Sequence, residues 1–255
     1  MYTFTVYAYC IYTSYERIVP SPDTECEVIP SVTSLRVRVF EALRRAIIQG
    51  ILPPDSTIVE QQVADELEVS RTPVREALQK LEGLGLVQRS DGRRRYVVRG
   101  FTAKDVDDIA SVRILLEESA ILESTPLLGP GDFVHLNRLL EEMEQSVMDP
   151  GSRGLHSRAH RQFHLYMAER SDNLYLQKLV TSVLDYATMV WEAYQPSRGH
   201  LVLAQKSHRG IVEALQNGEC REAQQILRQH IERSLNRTKQ IIQKQETRRS
   251  VRDLF

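Results

Sequence analysis

Ser70-Arg71-Thr72-Pro73-Val74-Arg75-Glu76-Ala77-Leu78 reads as the opening of a helix with two unlike faces. Ser70 can cap it and Pro73 suits a first turn, while Val74, Ala77, Leu78 and Leu81 form an apolar stripe that leaves Arg71, Thr72 and Arg75 outward. Upstream, Ile58 to Leu67 reads as a short helix, and Glu68-Val69-Ser70 has room only for a tight helix-to-helix turn. Two cations and a hydroxyl therefore gather at the exposed start of the second helix, which is what contact with a phosphate backbone and base edges requires.

The flanks complete a module. Leu35 to Gln49 repeats apolar residues at Val39, Ala42, Leu43, Ala46 and Ile47 and stops at Gly50 before Pro53-Pro54, which predicts a first helix. Gly83 and Gly85 end the helical period, Leu86-Val87-Gln88-Arg89 reads as a strand, and Ser90-Asp91-Gly92 is turn chemistry before Tyr96-Val97-Val98. The pattern is a helix-turn-helix followed by a β-hairpin wing. Arg93, Arg94 and Arg95 at its tip and returning arm suit a wing that reaches phosphates or the minor groove.

Residues 35 to 99 resemble the winged helix-turn-helix of the GntR family of bacterial transcription regulators, through Ile48-Gln49-Gly50, Leu52-Pro53-Pro54, Ser70 to Leu78 and Leu81 to Val87. The resemblance implies that Arg71, Thr72 and Arg75 contact DNA and that Gly92 sits at the wing tip, with Arg93 beside it. Asp55 stands where the family usually has a turn glycine, and Gln61 stands where many members place a base-reading arginine. Glutamine addresses adenine where arginine favours guanine, so half-site preference is expected to shift. Each arginine alone would more often be a solvated side chain, and a winged helix that has turned to protein binding is the bland alternative.

At 255 residues the chain has room for two cored domains, and a net charge of −1 permits no inference from bulk charge. Residues 34 to 100 hold 12 Lys plus Arg against 9 Asp plus Glu, a surplus of three, whereas residues 1 to 33 hold one against four. The positive excess falls on the module where release of DNA counterions needs it. Cys10, Cys26 and Cys220 are odd in number and unpaired in spacing, which points to a reducing cytoplasm, and the DNA-binding resemblance adds an expected association with the nucleoid. No membrane-spanning run or positive leader is present in the sequence. The expected domains are an extension over 1–33, the winged module over 34–100, an all-helical effector and dimerisation domain over 101–246, and a tail over 247–255. The alternating tyrosines of the extension fit a disordered tail, an added strand or an overextended reading frame alike.

Beyond the wing the period turns helical and stays so. Thr102 to Asp105 has capping-box spacing ahead of Val106, Ile109, Val112, Leu116, Ala120 and Ile121. Further helical patterns run near 132–147, 154–170, 173–194, 198–216 and 219–244, with breaks at Gly129-Pro130-Gly131, Asp149-Pro150-Gly151, Pro196 and Asn217-Gly218. The predicted class is therefore mainly α: a winged helix-turn-helix followed by an antiparallel six-helix bundle.

Within that bundle His160 and His164 stand four apart on one helix face, and His208 and His230 flank the Asn217-Gly218 turn at nearly equal distances. If the last two helices are antiparallel, four imidazoles converge. That set suits a divalent transition metal, zinc first and nickel second, better than magnesium or calcium. Residues 102 to 244 resemble the FCD effector domain of FadR-type members of the same family, through Val112-Arg113, Leu116-Glu117, Phe163-His164, Asp172-Asn173, Leu176, His208, Ile211, Ala214, Gly218, Ala223 and His230. The resemblance implies a metal held by an aspartate and three histidines. His164, His208 and His230 match, and His160 replaces the aspartate. An all-imidazole set leaves the ion its full formal charge, so a small carboxylate effector is expected, with Arg113 as a bidentate contact. The bland readings are that Arg113 pairs with Glu117 on its own helix, that Asn173 is a helix cap, and that His135, His156 and His200 are surface residues.

These features predict a homodimeric regulator, a repressor in the first instance, that sets two recognition helices on double-stranded operator DNA and responds to its effector. The alternative from another class is a hydrolase-like metalloenzyme with a vestigial winged helix. Against it, no Asp or Glu stands at general-base spacing, Glu169 being more than a turn from His164. The chain is accordingly expected not to be an enzyme.

Overall fold

The computed structural model describes residues 35–90, 95–148, 153–194 and 197–252, and the chain divides into two compact units, Met1–Gly100 and Phe101–Phe255. Residues 1–33, with their alternating tyrosines, lie outside the described residues, as do Gly92 and Arg93.

The first unit runs α1 (Leu35–Ile48), β1 (Thr57–Val59), α2 (Glu60–Glu66), α3 (Arg71–Gly83), β2 (Val87–Arg89) and β3 (Arg95–Val98). α1 packs on α3, and Val39, Leu43, Ile47, Val74, Leu78 and Leu81 are all buried, each contributing about 1.5–3 kcal/mol by leaving water. Ser70 takes the N-cap position of α3 in extended backbone, although its hydroxyl makes no capping bond. Pro73 lies in the first turn, where a missing N–H costs no helical bond.

One expectation is corrected. Ile58 and Val59 are not helical: Thr57-Ile58-Val59 pairs antiparallel with β3, Ile58 opposite Tyr96, and completes a three-stranded sheet of order β1-β3-β2. Three successive β-branched residues favour the pleat, and burial of Ile58 there outweighs the weak propensity of so short a helix. The turn before β1 explains the departure at Asp55, whose φ of 66° is left-handed backbone. Aspartate tolerates that region better than most side chains, and the Asp55 N–H donates to the Val98 carbonyl at 3.0 Å, tying the turn to β3.

The second unit contains α4 (Ala103–Ser124), α5 (Pro130–Met148), α6 (Arg153–Arg170), α7 (Leu174–Tyr194), α8 (Arg198–Gln216) and α9 (Cys220–Arg252). Nine helices and one small sheet among the described residues make the chain mainly α, as predicted. The capping box at Thr102 and Asp105 is formed in both directions. Gly218, at φ 74°, turns α8 into α9, and the Glu219 N–H closes that turn on the Ala214 carbonyl at 2.8 Å. α9 continues past residue 244 because its charged residues, though no longer apolar in pattern, are good helix formers. The shared core includes Ala120, Leu136, Leu140, Met143, Ala168 and Val180. Among the described residues, no helix is long and apolar enough to cross a membrane.

Candidate metal centre and nucleic-acid interface

On α3, Arg71 and Arg75 stand one turn apart and share one partner. The Glu60 carboxylate, only 3% exposed at the start of α2, accepts from Arg71 Nη2 at 3.5 Å and from Arg75 Nε at 3.4 Å. These are long contacts, better described as a charge held between two cations than as two strong hydrogen bonds. Thr72 beside them is exposed. Gln61 is exposed too, and its amide donates to Asp65 Oδ1 at 2.7 Å. Glu60 is a residue that sequence reasoning missed. Its signal was present only in register, since α2 must start at Glu60 before that side chain can point at α3.

In the second unit α6 carries His160 and His164, α8 carries His208 and α9 carries His230, and one ligand atom from each lies within 4.8 Å of the others. Ring centroids are 4.7 Å apart for His160 and His164 and 4.4 Å for His208 and His230. Nitrogens sharing one ion at bonds of about 2.0–2.1 Å stand at most about 4.2 Å apart, so a small inward turn of the rings closes the set. His164 Nδ1 donates to Glu117 Oε2 at 2.7 Å, and His208 Nδ1 donates to Gln205 Oε1 at 3.2 Å. Both bonds put the proton on Nδ1 and the lone pair on Nε2. Those two Nε2 atoms are buried with no hydrogen-bond partner, an arrangement that costs free energy unless an electron acceptor sits between them. The donor set fits a divalent transition metal on its chemistry.

Electrostatics agree with ligation. Burial, then mutual repulsion, holds His160, His208 and His230 well below the ordinary imidazole range, so they are neutral and able to donate lone pairs. Burial alone would raise the Glu117 carboxyl, but Arg113 and His164 outweigh it and push it down to about 2. Arg113 Nε donates to Glu117 Oε1 at 2.7 Å, so the bland pairing on its own helix is real. That pairing is incomplete, because Arg113 Nη2 remains buried without a partner. A cavity of about 70 Å³ adjoins the centre, and its walls include Arg113, His160, Trp191, His200, Ser234 and Arg237.

Two further expectations need comment. Asn173 does cap α7, its Oδ1 accepting from the Leu176 N–H at 3.1 Å. His156 is not a surface residue: it is buried, its ring stacks on Trp191 at 5.5 Å, and its Nδ1 donates to Ser146 Oγ at 2.9 Å. Its face was legible, since His156 stands one turn before His160 on α6 and so continues the i, i+4 spacing of His160 and His164. His135 and His200 are half-buried.

Residues 35–97 match the family described as bacterial regulatory proteins, gntR family, and residues 108–233 match the FCD domain. The Uxu operon regulator of Haemophilus influenzae is 30% identical over 216 residues, 76% of this chain and 78% of that one. The chain belongs to the GntR family. The HTH-type regulator YdhC of Bacillus subtilis is 27% identical to this GntR-family chain over 213 residues, 83% of this chain and 94% of its own. The solved structure of Escherichia coli McbR/YncC, 21% identical, superposes with a TM-score of 0.74 over 82% of this chain and 99% of that chain, and so shares the fold. A GntR-family regulator from Rhodococcus is 25% identical with a TM-score of 0.71, over 81% and 98%. Like its family, the chain is a DNA-binding transcriptional regulator, and four histidines lie within metal-binding distance in its FCD domain.

Proposed function

We propose that the protein is a homodimeric, effector-controlled repressor whose grip on operator DNA is set by a small carboxylate bound beside a divalent metal in the FCD domain. The observation that carries this reading is the pair of buried, unpartnered Nε2 atoms on His164 and His208 within a four-histidine cluster. His160, His164, His208 and His230 would hold the ion, zinc before nickel, and when bound it would supply Lewis-acid attraction for a carboxylate. Arg113 lines the adjoining cavity, and its buried, unpartnered Nη2 would turn to receive the carboxylate's second oxygen. Glu117 orients His164 and Arg113 together, so occupancy bears on α4, which is joined to the winged module by only Arg99 to Thr102. A curated relative over 46% of this chain, the gluconate operon transcriptional repressor of Bacillus subtilis, is named for a carboxylate.

Arg71, Thr72 and Arg75 would read the operator, with Gln61 and the wing residues Gly92 and Arg93 adding contacts. Leu115, Leu122, Leu174, Tyr175 and Leu179 are exposed on α4 and α7 and offer an apolar surface for the second subunit. Against the hydrolase alternative, the carboxylate bonded to the cluster among the described residues, Glu117, is already engaged by Arg113 and His164. Metal analysis of untagged protein, followed by calorimetric titration of small carboxylates before and after chelation, tests the reading. Equal carboxylate affinity in loaded and stripped protein refutes it.

A further inference from the structure

The cavity beside the histidine cluster has a second cationic end. Among the described residues that line it are three arginines and no carboxylate. Arg161 is neutralised from behind by Asp185, at 2.8 Å, and Arg113 by Glu117. Arg237 differs. Its Nη2 donates to the Ser197 hydroxyl at 2.8 Å, its Nε is buried without a partner, and it has no carboxylate counter-ion among the described residues. Arg237 is half-buried on the cavity wall, and its buried Nε, left without a partner, carries a cost that an arriving anion would relieve.

Arg237 lies on the same face of α9 as His230, seven residues on, with Ser234 between them on the cavity wall. Seven residues are two turns, about 10.5 Å along the axis, and the backward lean of helical side chains brings the guanidinium part of the way toward the cluster. We propose that the effector is a dicarboxylate, one carboxylate taken at the histidine cluster and Arg113 and the other by Arg237. The spacing fits a chain of about four to six carbons. The inference rests on the metal-bridged reading above but concerns the opposite end of the ligand.

Zinc-loaded full-length protein is titrated calorimetrically with succinate, glutarate and adipate, and with the monocarboxylates butyrate, pentanoate and hexanoate. The best dicarboxylate is expected to bind at least about tenfold more tightly than the monocarboxylate of equal carbon number, as a charge-assisted pair implies. Arg237→Gln should remove most of that gap and leave monocarboxylate affinity unchanged. Equal binding of the two series by the unaltered protein, or an undiminished gap in Arg237→Gln, overturns the dicarboxylate inference. The first comparison needs no variant, so a poorly folding Arg237→Gln does not rescue it. Monocarboxylate binding that vanishes on chelation upholds the metal-bridged reading whichever way the gap falls, and binding of both series that ignores chelation removes both.

Discussion

Glu60 sets one buried carboxylate between Arg71 and Arg75, which on the proposed reading aims the two arginines before DNA arrives. Arg75→Ala is expected to weaken operator binding by about 1–3 kcal/mol and to relax preference at one base. Glu60→Gln should instead raise affinity for unrelated duplex while narrowing the gap between operator and unrelated sequence, as read by fluorescence anisotropy at fixed salt; an unchanged ratio would show that Glu60 serves only the fold. At the other site, Glu117→Gln should lower metal affinity by about 10–100-fold, since it orients His164 from outside the ligand set. Neither carboxylate's role was legible in sequence. The pairing of Arg113 with Glu117 followed from their spacing of four, but the contact from Glu117 to His164 crosses 47 positions and exists only once α4 and α6 have packed.

At the scale of elements, the six helices of the second unit were legible because their apolar periods are long and four of their five breaks carry glycine or proline, the fifth being Ser171-Asp172-Asn173. The histidine cluster was legible for the same reason, one pair being local on α6 and the other following from the α8–α9 turn. β1 was not, since a run of three residues carries no period and its partner strand lies some 38 positions on, Ile58 opposite Tyr96. The turn that launches β1 gives its own test. Asp55→Gly should change stability by no more than about 1 kcal/mol in urea unfolding, because relief at φ 66° is offset by a freer unfolded chain, whereas the β-branched Asp55→Val should destabilise by more.

For the whole molecule, acid is expected to act through the histidines. His160, His208 and His230 have folded values lowered well below 6.5, chiefly by burial. Below about pH 6.5 the unfolded chain takes up protons that the folded domain refuses, so their contribution is complete above that pH and is lost as pH falls toward the lowered values. The slope is up to about 1.4 kcal/mol per pH unit for each histidine that stays neutral. Metal-free protein should therefore melt at a lower temperature at pH 5.5 than at pH 7.5, and a flat profile would contradict the buried cluster. Zinc at about a hundred times its Kd should add about 2.7 kcal/mol at neutral pH and progressively less as the imidazoles protonate.

Trp191 is the sole tryptophan of the chain, and it lies flat against the His156 ring while forming part of the cavity wall. Its indole emission is thus an optical gauge built into the cavity proposed to take the ligand. Occupancy that shifts α7 or dries that wall alters the wavelength and yield of a single fluorophore, so binding can be followed in unlabelled protein without any DNA present.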